Sequence, residues 1–189
     1  GGFAFDAGDF AVTQPFLDAG LAVMCPMLRG ENGNPGHHEL YLGEVEDAKA
    51  AIAWLAAQDK VDPAKIHTFG HSAGGVISAL LTLHDAPVKH SGSAGGLYGP
   101  SLFDYTRDST PFDPDNDNER QIRVLVGNIR WMKRPHYAYV GTEDEALEVI
   151  EAEEEIAANG RSLLTIIDVE GDHFASLAPA IQAFVKVIK

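Results

Sequence analysis

Apolar runs alternate with amphipathic stretches along the whole chain. Five runs are short and show little polar alternation, which is typical of strands buried on both faces of a parallel sheet. They lie at residues 21–25, 65–69, 88–93, 136–140 and 163–169. The pattern therefore predicts five strands.

The segments between these runs have the three- and four-residue spacing of helices. The clearest is the stretch 41–58, in which charged residues separate the apolar ones. Its apolar residues are Val45, Ala48, Ile52 and Leu55. Further helices are predicted at 10–19, 76–84, 145–159 and 177–188.

Strands that alternate with helices indicate the α/β fold class, with a doubly wound, mostly parallel sheet and helices on both faces. In the helix at 145–159, Ile150 and Ile156 are expected to face the core. The active site of such a sheet lies beyond the carboxyl ends of its strands. Residues that follow the strands are therefore the first candidates for chemistry.

The turn after the second predicted strand carries the strongest chemical signal. Gly70, Ser72 and Gly74 form the pattern G-x-S-x-G between a strand and a helix. Such a turn strains the serine backbone, and we expect both flanking positions to need glycine because strand and helix pass too close for a Cβ atom. The Ser72 hydroxyl would then lie at a helix N-terminus, where the Ala73 N–H can face a developing oxyanion.

A serine nucleophile needs a base, and the base needs an acid that orients it. Enzymes with this turn carry the three in the order serine, acid, histidine. His173 is the one histidine after the last predicted strand, and Asp144 follows the strand that ends at Val140. Because Asp144 could also cap the following helix, Glu143 and Asp104 remain alternative acids. His71 is interpreted as a packing residue that points away from the base.

Composition and charge narrow the range of partners. The net charge of −14 argues against nucleic acid and anionic membranes as partners, and no apolar run is long enough to span a membrane. The acidic series Asp113, Asp115, Asp117 and Glu119 lacks the glycine and the final glutamate of a calcium loop. We therefore expect a small-molecule or peptide substrate, no metal and no cofactor.

Taken together, these motifs resemble the α/β-hydrolase superfamily, and more narrowly its prolyl oligopeptidase and dienelactone hydrolase branch. The segments that carry the resemblance are Pro26-Met27-Leu28-Arg29-Gly30, Val61-Asp62-Pro63, Gly70-His71-Ser72-Ala73-Gly74-Gly75, Gly141-Thr142-Glu143-Asp144 and Gly171-Asp172-His173-Phe174. The resemblance implies Ser72 as nucleophile, His173 as base and Asp144 as orienting acid. It also implies an oxyanion hole from the Ala73 N–H and a backbone N–H at Gly2 or Phe3.

The resemblance covers residues 1–189 as one catalytic domain, with a variable substrate-covering region at about 97–130. Tyr98, Phe103 and Tyr105 in this region are predicted substrate contacts. Members of the superfamily have a further strand between the one at 21–25 and the one at 65–69. The strand at 65–69 leads into the turn around Ser72, which we call the elbow. Without the further strand, the strands at 21–25 and 65–69 would lie about 10 Å apart with unpaired backbone between them, so we expect the chain to be part of a longer protein.

Three functions fit these expectations. The first is a serine hydrolase that works through an acyl-enzyme, with a prolyl oligopeptidase-like peptidase favoured. A carboxylesterase or dienelactone hydrolase-like esterase would use the same apparatus. A non-catalytic binding protein of the same fold is the third possibility, and it is disfavoured because all three triad positions are filled.

Overall fold

The computed structural model describes residues 11–144, 148–159 and 162–189, without the side chains of Tyr105 and Glu148. Four strands form its sheet: β1 (His67–His71), β2 (His90–Ala94), β3 (His136–Gly141) and β4 (Leu164–Val169). They are ordered β1-β2-β3-β4, and every neighbouring pair is parallel. The predicted parallel sheet is confirmed, and the carboxyl ends of all four strands meet at one edge.

Helices cover both faces of the sheet, as predicted. They are α1 (Gln14–Asp18), α2 (Leu42–Ala56), α3 (Ala73–Leu80), α4 (Leu102–Tyr105), α5 (Asp117–Gln121), α6 (Glu148–Asn159) and α7 (Leu177–Ile188). Helix α7 packs on one face, where Phe184 lies against Phe69 with ring centroids 5.2 Å apart. Helix α3 packs on the other, where the carbonyl of Ser78 accepts from Ser91 Oγ. Side chains alternate between these two faces along each strand.

The inward residues predicted for the helix at 41–58 are confirmed. Val45, Ala48 and Ile52 are buried in α2, and Leu55 packs partly buried against the same core. Ile150 in α6 was expected to face the core, and this expectation is wrong because its side chain is 62% exposed. Its helix instead turns Ala152 inward, with Val149 and Ile156 beside it.

The strand predicted at 21–25 is wrong: this segment has no regular secondary structure. Apolar character alone does not make a strand, because its backbone N–H and C=O groups need a hydrogen-bonded neighbour. No described strand pairs with this segment, and β1 pairs with β2 but with no other described strand. Residues 21–25 therefore run past the sheet without joining it.

A buried polar network lies between the sheet and α3. The His136 ring on β3 is fully buried, with Nδ1 2.8 Å from Ser91 Oγ and Nε2 2.9 Å from Ser93 Oγ. Ser91 Oγ donates to the carbonyl of Ser78 at 2.6 Å, and Ser78 Oγ donates to Thr68 at 3.0 Å. The network thus ties β1, β2, β3 and α3 together through side chains.

A neutral imidazole satisfies this network. With Ser91 donating to the Ser78 carbonyl, Nδ1–H of His136 can donate to Ser91 while Nε2 accepts from Ser93. Burial lowers the pKa of His136 to about 3, because the charged form has no water around it. The folded protein therefore holds this histidine uncharged at neutral pH.

No helix in the described part of the chain is long and apolar enough to cross a membrane.

The buried His136 predicts a specific pH dependence of stability. The unfolded chain takes up a proton at this site as the pH falls below 6.5, whereas the folded chain does so only near pH 3. The stabilisation that the folded chain gains from holding His136 uncharged is therefore complete above pH 6.5. It is lost as the pH falls from there toward 3, and the free energy of unfolding falls with it. His136→Gln removes the titrating group, so its free energy of unfolding should fall less than that of wild type between about pH 7 and about pH 5.

Urea unfolding at the two pH values measures this difference. His37→Gln, at an exposed loop position, is the matched control and should keep the wild-type pH dependence. Equal losses in wild type and His136→Gln would contradict the prediction.

Candidate active site

The turn between β1 and α3 has the strained serine that the motif predicts. Ser72 has φ 52° and ψ −122°, a backbone conformation that non-glycine residues rarely adopt. Its N–H donates to the carbonyl of Ala94 at 2.9 Å, while its own carbonyl accepts from the N–H groups of Gly75 and Val76. These bonds hold Ser72 at the carboxyl edge of the sheet.

Of the two glycines that flank Ser72 in the motif, the structure requires one to be glycine and does not require the other. A Cβ atom on Gly70 would clash with the carbonyl of Gly74 and lie 2.6 Å from the nitrogen of Gly75, so glycine is required there. Around Gly74 a Cβ atom would meet open space, and the predicted requirement at this position is wrong. The second close approach involves Gly75 instead, whose Cβ would lie 2.8 Å from the Cα of Gly96. Helix α3 therefore passes close to the segment after β2 as well as to β1.

Asp144 and His173 meet at this same edge. The Nδ1 atom of His173 lies 3.0 Å from Oδ2 of Asp144, and both side chains are partly buried. Asp144 follows β3 and His173 follows β4, so the parallel strands deliver both to one place. Of the alternative acids, Asp104 pairs with Arg120 at 2.9 Å and Glu143 is exposed.

Gly95 lies between this pair and the elbow. It follows Ala94, the acceptor for the Ser72 N–H, and it has φ 57°. A Cβ atom on Gly95 would lie 2.8 Å from Nδ1 of His173 and 3.1 Å from Oδ2 of Asp144. Because glycine has no side chain, this position leaves room for the His173–Asp144 hydrogen bond. It also directly follows the residue whose carbonyl accepts from the Ser72 N–H.

The hydrogen bond to Asp144 also decides which nitrogen of His173 can act as a base. A carboxylate accepts, so Nδ1 of His173 carries the proton and Nε2 keeps its lone pair in the neutral ring. Among the described residues, Ser72 Oγ makes no hydrogen bond to His173; its recorded partner is the Tyr98 hydroxyl at 3.5 Å. Catalytic hydrogen bonds are often long without substrate and tighten when it binds.

The N-terminus of α3 offers a donor for an oxyanion. Ala73 is the first residue of this helix, and its N–H makes no backbone hydrogen bond within the described ranges. The first N–H groups of a helix have no partner inside it and carry partial positive charge. The second predicted donor, at Gly2 or Phe3, lies outside the described residues.

The predicted substrate contacts differ in their positions relative to Ser72. Tyr98 lies beside Ser72, as its 3.5 Å hydroxyl contact shows. Phe103 is fully buried, with its ring 5.3 Å from that of Phe112, so its side chain packs inside the segment 97–130. The Tyr105 side chain is not described. Residues 97–130 fold into the short helices α4 and α5 joined by turns.

Within the described ranges, no group of three or more histidine, cysteine, aspartate or glutamate side chains is placed to hold a metal ion.

Sequence reasoning missed the position of His71. Its Nε2 atom lies 2.7 Å from the backbone oxygen of His173, and the two rings are 5.0 Å apart. The interpretation of His71 as a residue pointing away from the base is therefore wrong. The partners are 102 residues apart, so no local pattern could reveal their contact.

Comparisons with known proteins show what the chain is similar to. A model of the X-Pro dipeptidyl-peptidase (S15) family matches residues 4–93. An uncharacterized protein of Mycobacterium tuberculosis is 41% identical over 68 residues, which cover 36% of this chain and 24% of the relative. The chain thus spans about a quarter of the length of this curated relative.

Solved structures extend the likeness over the whole chain. The fluorophosphonate-binding serine hydrolase F of Staphylococcus aureus matches with a TM-score of 0.72 and 12% identity, over 99% of this chain and 80% of that one. A puromycin-hydrolyzing peptidase of Mycobacterium tuberculosis matches with a TM-score of 0.64 and 19% identity, over 79% of this chain and 26% of that one. At such low identity the likeness establishes the fold. Together with the parallel sheet and the serine elbow, this likeness shows that the chain has the α/β-hydrolase fold.

Proposed function

We propose that the chain is the catalytic part of a serine hydrolase that cleaves peptide bonds through an acyl-enzyme, with Ser72 as nucleophile, His173 as base and Asp144 as orienting acid. The observation that carries this proposal is the His173–Asp144 hydrogen bond of 3.0 Å beside a serine held at φ 52°. A strained backbone is retained where the surrounding structure enforces it, and such strain concentrates at active sites.

Each step of the reaction uses a group at this edge of the sheet. Ser72 Oγ attacks the substrate carbonyl while Nε2 of His173 takes its proton, and the carbonyl oxygen becomes an oxyanion that faces the Ala73 N–H. His173 then gives the proton to the leaving nitrogen or oxygen, which departs and leaves an ester on Ser72. Water repeats the sequence, releases the acid and restores the serine.

The proteins to which this chain is similar favour a peptide substrate. The family model that matches residues 4–93 is one of X-Pro dipeptidyl-peptidases, and one of the similar structures is a puromycin-hydrolyzing peptidase. A prolyl oligopeptidase-like peptidase is therefore the first candidate. An esterase of the same superfamily is the alternative, because the same three side chains hydrolyse esters.

Ser72→Ala should abolish covalent labelling by a fluorophosphonate probe, because the probe is attacked by the activated serine oxygen. Gel fluorescence after incubation with a tagged probe measures the labelling. Ser109→Ala removes an exposed serine hydroxyl and should label like wild type. Labelling that survives in Ser72→Ala would remove Ser72 from the mechanism.

Asp144→Asn should lower kcat by roughly 10⁴-fold, because an amide can donate to Nδ1 and so favours the tautomer of His173 that cannot accept the serine proton. Stopped-flow or steady-state hydrolysis of an activated ester gives kcat. Asp104→Asn and Glu143→Gln are matched controls at the other candidate acids, and each should stay near wild type. A large loss in either control with an active Asp144→Asn would reassign the acid.

A substrate panel decides between peptidase and esterase. Aminoacyl and dipeptidyl nitroanilides are compared with p-nitrophenyl esters of increasing acyl length, using Ser72→Ala as the blank. We expect Ser72-dependent cleavage of the nitroanilides with a kcat/KM that depends on the acyl residue. Cleavage of the esters alone would establish the esterase, and binding without cleavage of either class would favour a non-catalytic protein.

A further inference from the structure

His71 joins the nucleophile's strand directly to the loop that carries the base. It is the last residue of β1 and immediately precedes Ser72. Its half-buried side chain reaches the segment after β4, where Nε2 lies 2.7 Å from the main-chain oxygen of His173. This contact links the segment that carries Ser72 to the segment that carries His173, and these come from opposite edges of the four-stranded sheet.

The chemistry of the contact fixes its direction. A backbone carbonyl can only accept, so Nε2 of His71 carries a proton and donates it. Both the neutral Nε2–H tautomer and the doubly protonated ring have this proton, so the bond is kept in either charge state of His71.

Besides the bonds of His71 and Asp144, one long-range bond holds the loop around His173, because the Glu143 N–H donates to the carbonyl of Gly171 at 3.1 Å. Its other bonds are short-range, and one of them runs from Ser176 Oγ to the His173 carbonyl at 3.4 Å. The Asp172 carboxylate accepts from the N–H groups of Phe174 and Ala175 at 2.9 and 2.8 Å, and these bonds lower its pKa, with Ala175 contributing most. The Ser176 N–H donates to the carbonyl of Asp172 at 3.0 Å. Such bonds shape the turn, but they do not set its distance from the serine.

The ring of His173 is fixed at one end by Asp144 and its main chain is fixed at the other by His71. The first bond sets the rotation of the imidazole, and the second sets where its backbone lies relative to Ser72. Proton transfer requires both, since a displacement of about 1 Å in an active site can cost about 10²-fold in rate.

We propose that His71 is a positioning residue, whose Nε2–H···O=C bond to His173 holds the general base at its working distance from Ser72. The inference rests on the proposed function, in which His173 takes the proton of Ser72. It assigns His71 no contact with the substrate.

Two substitutions separate the hydrogen bond from ring packing. His71→Phe keeps an aromatic ring beside His173 and Phe174, whose rings lie 5.0 and 5.8 Å away, but it has no donor. His71→Gln loses the ring but places an amide N–H near the position of Nε2. If the bond positions the base, the phenylalanine variant should be impaired and the glutamine variant should retain activity.

The kinetic measurement is hydrolysis of an activated ester by the full chain. We expect His71→Phe to lower kcat by roughly 10- to 100-fold with KM within about twofold of wild type, and His71→Gln to stay close to wild type. The inference is overturned if both variants match wild type, if both lose activity equally, or if only the glutamine variant is impaired. His37→Phe, at an exposed loop position, controls for a general effect of the substitution.

Hydrogen–deuterium exchange gives a reading that does not depend on turnover. Amides of residues 170–176 should exchange faster in His71→Phe than in wild type and at the wild-type rate in His71→Gln, with thermal melting unchanged. Equal exchange in all three proteins overturns the inference even if the chain hydrolyses nothing. Failure of the proposed function is a separate result, because it shows in wild type as the absence of Ser72-dependent labelling.

Discussion

The close approach of helix α3 to the ends of β1 and β2 is the constraint on which the site depends. Gly70 lies under the backbone of Gly74, and Gly75 lies against Gly96, at distances that leave no room for Cβ atoms. This close contact requires a sharp turn between strand and helix. The sharp turn gives Ser72 its strained backbone. The strain is maintained because packing on both sides of the turn leaves no relaxed alternative.

The polar network under α3 secures the same elements from inside. His136, Ser91 and Ser78 connect the strand that leads to Asp144, the strand that leads to Gly95 and the helix that follows Ser72. Buried polar groups that are fully paired specify one arrangement, because any shift would leave a donor or acceptor without a partner. The frame of the site is therefore built from directional bonds as well as apolar packing.

The parallel direction of the strands explains why residues far apart in the sequence lie close together. Every strand ends at the same edge, so the residues after β1, β2, β3 and β4 become neighbours whatever their separation along the chain. Ser72, Asp144 and His173 follow β1, β3 and β4 and so lie at this edge. Gly95 reaches it too, where a Cβ atom would lie 2.8 Å from Nδ1 of His173 and would crowd its hydrogen bond to Asp144.

The amino-acid sequence alone predicts the parallel α/β architecture, the elbow at Ser72, and His173 and Asp144 as candidate residues, because these depend on local periodicity and on order along the chain. The three-dimensional structure was needed to show that Gly75 lacks room for a Cβ atom while Gly74 does not, that residues 21–25 stay outside the sheet, and that His71 binds the backbone of His173. Each of these depends on which distant segment lies beside the residue, and no local pattern encodes which partner a backbone group or a side chain will find.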